Sequence, residues 1–75
     1  MFVRDWMAAA SEAEREAVAV KAKTSVGYLW QLSGLHRKAS PDLAERLENA
    51  SMKETPGRVM YRMDVLYPPK KAEAA

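Results

Sequence analysis

The apolar side chains of this chain recur at helical spacing, and the alternation typical of strands is scarce. Apolar residues three or four positions apart mark the faces expected to point inward: Phe2 with Trp6, Leu29 with Leu32, and Leu43 with Leu47. Short polar stretches suited to turns separate these pairs. The pattern predicts an all-α fold with four helices, over residues 2–9, 11–22, 25–33 and from residue 41 onward.

Polar residues indicate where these helices begin. Ser11 and Glu14 have the spacing of a capping box, in which each side chain binds the backbone N–H of the other residue. Thr24 is suited to cap the third helix. Ser40 followed by Pro41 is suited to open the fourth, because the missing N–H of a proline costs nothing in the first turn.

Residues at positions where glycine is usual indicate where the second and third helices end. Gly34 fits the position after the third helix, where a left-handed backbone is easiest without a Cβ. Ala19 supplies a small side chain where the third helix would cross the second. Lys23 stands in the turn between them, where glycine is usual, and a left-handed backbone there would cost strain.

The last part of the chain carries a weaker pattern. We expect a short extended segment at residues 58–61 followed by one helical turn, which would complete a single domain over residues 1–67. Residues 68–75 are expected to form a disordered tail. The segment before that tail is too apolar for a free end, so it either closes over the helices or offers a surface for association. Its apolar residues are Val59, Tyr61, Val65, Leu66 and Tyr67.

The composition of the 75-residue chain, 48% hydrophobic and 29% charged, is typical of a globular domain. It contains no Cys, which excludes disulfides and thiolate metal ligands. The chain lacks an apolar run long enough for a membrane span, and the N-terminal stretch, with Asp5, is a poor signal peptide. We expect a cytoplasmic protein.

Positive charge is concentrated in the middle of the chain. Residues 1–16 hold two bases and four acids, as do residues 41–57, for a charge of −2 each. Residues 17–40 hold four bases and no acid, for +4: Lys21, Lys23, Arg37 and Lys38. A basic band without acids is the simplest electrostatic footprint of a phosphate-binding surface. The alternative is a solvated face that happens to lack acids.

Two short helices, a tight turn and a basic loop form a helix-turn-helix arrangement. The stretch AVAVKAKTSVGYLWQLSGLHRKASPDLAERLENAS, residues 17–51, resembles the Cro/CI-type helix-turn-helix of phage and prophage repressors. The likeness is closest to the small Cro-like and YdaS-like regulators, which commonly carry GTS-VGYL, a basic loop and SPxLAxRIE. GRVMYRMDVLYP, residues 57–68, resembles the end of that family. The chain departs from the family at Lys23, for Gly, and at residues 63–67, where EDLRP is more common.

The resemblance implies a lambda-repressor-like helix-turn-helix domain of four helices with a short C-terminal extension. It implies a transcriptional regulator, a Cro-like repressor, that binds double-stranded DNA as a homodimer, without a cofactor, and places its third helix in the major groove. The YdaS-like character suggests an alternative, an antitoxin-type module that holds a partner protein.

The outward side of the third helix supplies the candidate DNA contacts. Gln31 is suited to pair with adenine, Val26 to touch a thymine methyl group, and Gly27 to allow close approach of the backbone. The residues expected to contact base edges are Ser25, Val26, Gly27, Trp30 and Gln31. The residues expected to contact phosphates are Lys23, Thr24, Tyr28, His36, Arg37 and Lys38.

Several of these residues have a plainer interpretation. Trp30 would also suit the core or a dimer contact, and Tyr28 a partly buried structural position. Gln31 would also suit an ordinary surface site. Arg37 and Lys38 would also suit a solvated loop.

Other classes of function have less support. His36 stands alone, without Cys or a second His, so we do not expect a metal site. Catalysis is not expected either, because the chain carries no recognisable nucleophile partnered with His36 and no Gly-rich phosphate loop. An RNA-binding role would lack the exposed aromatic pair on a sheet that such proteins use.

Overall fold

Residues 1–69 are the part of the chain that the computed structural model describes, and within them all regular structure is helical. The all-α prediction is therefore confirmed. The predicted single turn near the end of the chain is a fifth helix. The helices are α1 (Val3–Ala9), α2 (Glu12–Lys21), α3 (Val26–Ser33), α4 (Pro41–Glu54) and α5 (Arg62–Leu66). Residues 70–75 of the predicted disordered tail lie outside the described residues.

The helix starts follow the local sequence signals, with one shift. The backbone N–H of Glu14 donates to Ser11 Oγ at 3.1 Å, and the N–H of Ser11 donates to Glu14 Oε1 at 2.9 Å, so the predicted capping box is confirmed. Ser40 Oγ accepts from the N–H of Leu43 ahead of α4, as predicted. The prediction of Thr24 as the cap of α3 is wrong, because Ser25 takes that position.

Two helices end on residues other than glycine. After α2 the left-handed residue is Lys23, with φ 58°, and after α3 it is Leu35, with φ 63°. Each ending closes with paired backbone hydrogen bonds of a Schellman motif, which for α3 run from Leu35 to Leu32 and from His36 to Gln31. The backbone at Lys23 is thus left-handed, which is the case in which the sequence predicted strain.

The prediction of a left-handed Gly34 is wrong, since its φ is −84°. The Gly34 N–H still donates to the Trp30 carbonyl, so the left-handed residue comes one position later than expected, at Leu35. A Cβ at Gly34 would lie 2.8 Å from Cδ2 of His36. Glycine is therefore suited to this position by the space it leaves for His36 rather than by backbone conformation.

A single core joins the helices, with α2 against α4, α1 against α3 and α4 against α5. Trp6, Leu29 and Leu47 are fully buried at its centre, as their apolar spacing predicted. On α2 the buried positions are Val18 and the small Ala19, which allows α3 to pass close by. No helix in residues 1–69 is long and apolar enough to cross a membrane.

The segment after α4 packs onto the core through buried hydroxyl groups. Ser51 Oγ accepts from the backbone N–H of Met60 at 2.9 Å and donates to the Leu47 carbonyl at 2.8 Å. Thr55 Oγ1 accepts from Trp6 Nε1 at 3.0 Å, which joins the end of α4 to α1. Val59 and Val65 are buried, whereas Tyr61 and Tyr67 are exposed, so the segment closes over the helices with only part of its apolar side chains.

Candidate nucleic-acid interface

A side chain of α4 is hydrogen-bonded to the turn between α2 and α3. Arg46 Nε donates to the carbonyl of Ala22 at 2.8 Å, so a C-terminal carbonyl of α2 is paired. The Thr24 N–H donates to the carbonyl of Ala19 at 2.9 Å. Hydrogen bonds therefore fix the turn, which exposes Lys23 and Ser25 to solvent.

α3 is anchored by one side and open on the other. Leu29 and Leu32 are buried, as predicted, and fix the rotation of the helix about its axis. With that rotation set, four of the five candidate base-contacting residues are exposed: Ser25, Gly27, Trp30 and Gln31. At Gly27 an added Cβ would meet only Ser25 Oγ, at 3.9 Å, so the backbone faces open space there.

The fifth candidate, Val26, is only partly exposed. Its side chain packs against the core, as does that of Tyr28. The expectation that Val26 lies on the outer side of α3 therefore holds only in part, because Val26 is three residues before the buried Leu29 and borders the inward side of the helix. Tyr28 fits its alternative interpretation as a partly buried residue.

Trp30 forms a contact that the sequence did not indicate. It is 47% exposed, which excludes the alternative of a core residue. The guanidinium carbon of Arg15 lies 5.0 Å from the centre of its ring, within the range of a cation–π interaction. Arg15 Nε also donates to the Met7 carbonyl at 3.0 Å, so the same side chain links the end of α1 to α3.

The phosphate-binding candidates lie at both ends of α3. Lys23 is exposed before the helix, and His36, Arg37 and Lys38 are exposed after it. The eight residues of α3, which separate these positions, span about 12 Å along the helix axis at about 1.5 Å per residue. Thr24 lies between exposed and buried.

The cations at the two ends of α3 have no acidic partner in the described part of the chain. Within residues 1–69, no carboxylate lies within ion-pair distance of Lys23, Arg37 or Lys38. Their positive charge is therefore uncompensated by a direct partner, which raises the local potential for an anion.

Two carboxylates are instead engaged with the C-terminal segment. Arg58 Nη2 lies 2.8 Å from Glu14 Oε2, and Arg62 Nη2 lies 2.8 Å from Glu48 Oε1. Hydrogen bonds from the Ser11 backbone N–H and from Arg58 hold the pKa of Glu14 below its ordinary value. Hydrogen bonds from the side chain and backbone of Arg62 hold the pKa of Glu48 down in the same way.

Sequence reasoning missed the two arginines that support this surface, Arg15 and Arg46. Both lie in stretches whose net charge is negative, so the count of charges gave them no weight. The Arg46–Ala22 hydrogen bond joins residues 24 positions apart and had no local signal.

Comparison with known proteins gives no further information about this surface. No family model, curated protein or solved structure matches the chain.

Proposed function

We propose that the protein is a sequence-specific regulator of transcription of the Cro type, which binds duplex DNA through a lambda-repressor-like helix-turn-helix formed by α2 and α3. The observation that carries the proposal is the anchoring of α3 by Leu29 and Leu32, which leaves its outer side exposed between Lys23 and the Arg37–Lys38 pair. Within residues 1–69 these three cations have no carboxylate at ion-pair distance. A helix of this diameter fits the major groove, and its N-terminal half makes the base contacts in such motifs.

The exposed residues of α3 divide into distinct roles. Gln31 pairs with the N6 and N7 atoms of adenine, and Ser25 meets a base edge or a phosphate. Gly27 lets the backbone approach the groove without a side chain between them. Trp30, held by Arg15, lies along the wall of the groove.

The residues at the two ends of α3 bind the phosphate backbone. Lys23 and Thr24 contact the DNA before the helix, while His36, Arg37 and Lys38 contact it after the helix. The partly buried Tyr28 contributes its outer edge. These contacts set the position of the domain on DNA and supply affinity that does not depend on sequence.

Two copies of the chain bind a palindromic operator whose half-sites lie about one helical turn apart. Such a complex on a promoter excludes RNA polymerase, so occupancy alone produces repression. No cofactor takes part.

The slope of affinity against salt concentration tests the phosphate contacts. Replacing Arg37 by Ala weakens binding to every duplex and lowers the slope of log K against log salt by about one unit, because one fewer counterion is released. Lys53→Ala is the matched control, since it removes one exposed positive charge from α4, outside the proposed interface. Equal slopes for the wild type and Arg37→Ala would remove Arg37 from the interface.

A second candidate function is the antitoxin-type module. Three exposed apolar side chains of the C-terminal segment favour it: Tyr61 at 52%, Met63 at 62% and Tyr67 at 68% exposure. Under this alternative, Tyr61→Ser and Met63→Ser abolish a complex with a purified partner protein and leave DNA affinity unchanged. Binding to a specific duplex that is weakened in Gln31→Ala favours the regulator instead.

A further inference from the structure

A groove of about 620 Å³ lies between the start of α1, the end of α3 and α5, and the proposed DNA contacts leave most of its lining unused. We refer to it as the α1/α5 groove. Its volume falls within the range of about 300–1,000 Å³ that is usual for small-ligand sites. Much of its lining is apolar, including Phe2, Leu32, Leu35, Val65 and Leu66.

The α1/α5 groove combines this apolar lining with positive charge. Arg4, Arg37 and Lys38 also line it, and none of the Asp and Glu residues of positions 1–69 does. Arg4 Nε lies 3.6 Å from Asp5 Oδ1, whereas Arg37 and Lys38 have no acidic partner among residues 1–69. The uncompensated charge therefore lies on the loop between α3 and α4.

We propose that the α1/α5 groove binds a small molecule that has an apolar body and a carboxylate. The carboxylate matches the two-pronged donor geometry of the Arg37 guanidinium, and Lys38 adds a second positive charge. The apolar body displaces water from the leucine and valine side chains of the lining. A second copy of the chain fits less well, because a symmetric contact through this groove would bring two Arg37–Lys38 pairs together.

The position of these cations links the groove to DNA, and this step rests on the proposed function. Arg37 and Lys38 are phosphate contacts in the proposed complex, and they also line the groove. A carboxylate bound to them neutralises charge that the phosphate backbone needs. The ligand and duplex DNA therefore compete, which would make the ligand an inducer of the regulated gene.

Octanoate is the probe that tests the groove on the free protein. We expect titration of the full chain to shift the backbone NMR signals of residues 33–39 and 65–67 and to leave those of α2 in place. Acetate, which has the charge alone, and 1-octanol, which has the apolar body alone, bind more weakly by about tenfold or more.

Ser33 offers a matched pair of variants, because it lines the groove and lies at the end of α3. Ser33→Glu places a carboxylate beside Arg37 and Lys38 and weakens octanoate binding by about tenfold or more, by like-charge repulsion. Ser33→Gln has nearly the same size without the charge and retains binding. Octanoate shifts that avoid the groove, or equal affinities in both variants, overturn the proposal. Binding of an acidic amphipathic peptide to the groove, when octanoate does not bind there, also overturns the proposal.

Competition is then measured on a duplex that the protein binds. Octanoate lowers the DNA affinity of the wild type and of Ser33→Gln, while acetate at the same ionic strength does not. Octanoate that binds the groove without weakening DNA binding overturns the competition. If no duplex is bound but octanoate still binds the groove, the proposed function fails and the ligand site stands.

Discussion

Lys23 and Leu35 are the only residues with left-handed backbones in the described part of the chain, and each ends a helix beside the proposed interface. An L-residue in this conformation costs roughly 1–2 kcal/mol. At Lys23 that cost accompanies an exposed cation at the start of α3, where a helix N-terminus already attracts phosphate. Lysine at this position therefore lowers the stability of the fold and adds a positive charge where a phosphate can bind.

Replacing Lys23 by Gly separates these two effects. We expect the free energy of unfolding to rise by about 1 kcal/mol, because glycine adopts the positive φ without steric cost. DNA affinity falls, because a phosphate contact is lost. Denaturant unfolding and anisotropy titrations measure the two quantities. Lys23→Ala is the control: it loses the same affinity and gains no stability. A Lys23→Gly protein no more stable than Lys23→Ala would contradict the account of this turn.

Gly27 offers the same kind of separation within α3. Gly27→Ala has space for its Cβ in the free domain, and alanine favours a helix by about 1 kcal/mol over glycine. We therefore expect a higher melting temperature together with weaker DNA binding, because the methyl group enters the space between helix and bases. Unchanged or tighter binding would show that the backbone at Gly27 does not approach the DNA.

At the scale of the elements, the sequence predicted features that depend on neighbouring residues, such as helix caps. It missed contacts between residues of different helices. Ser11 and Ser40 could be predicted as helix N-caps because a cap depends on a few consecutive residues. The end of α3 at Ser33 was predicted correctly, but the left-handed residue after it was placed one position too early, because glycine usually takes that conformation, whereas here Gly34 leaves room for His36. The Arg15–Trp30 contact had no local signal at all, because it depends on how α2 meets α3.

The same limits apply to the candidate interface. The inward pair Leu29 and Leu32 fixed which side of α3 is exposed, so most of the predicted contact residues could be identified from spacing. Val26 was misassigned although the spacing rule applies to it: it lies three residues before Leu29, so its side chain borders the buried side of α3 and packs against the core.

Ser51 tests how the C-terminal segment is attached to α4. Ser51→Ala leaves the buried N–H of Met60 without an acceptor, so we expect the free energy of unfolding to fall by about 1–3 kcal/mol. Hydrogen exchange at Met60 should accelerate more than at Leu29. Ser33→Ala, which removes a serine hydroxyl that lacks this bond, is the control. An Ser51→Ala protein with wild-type stability and exchange would contradict this attachment.

At the scale of the whole molecule, one set of charged residues forms ion pairs that stabilise the fold, and another set has no ion-pair partner in the described part of the chain. Glu14 and Glu48 hold the C-terminal segment through Arg58 and Arg62. In the described part of the chain, Lys23, Arg37 and Lys38 have no acidic partner. One set of charges thus fastens the fold, and the other remains available to an anion.

This division predicts a pH dependence of stability. The pKa values of Glu14 and Glu48 are lower in the folded state than their ordinary value of 4.5, so the unfolded chain binds more protons in that range. Their contribution is present above about pH 5 and is lost as the pH falls through the folded-state values. Unfolding titrations of the wild type and of Glu14→Gln/Glu48→Gln measure it. We expect a shallower loss of stability at acid pH in the double variant, and parallel curves would contradict it.

The central claim is that the outer side of α3 reads the sequence of a DNA duplex. The most direct test is to select bound sequences from a random duplex library with the wild type and with Gln31→Ala, at two salt concentrations. The account predicts an operator that the wild type selects, with the preference at a single base pair reduced by about 1–3 kcal/mol in Gln31→Ala and the salt dependence unchanged. The same selected sequences for both proteins, or no selection by the wild type at all, would contradict it.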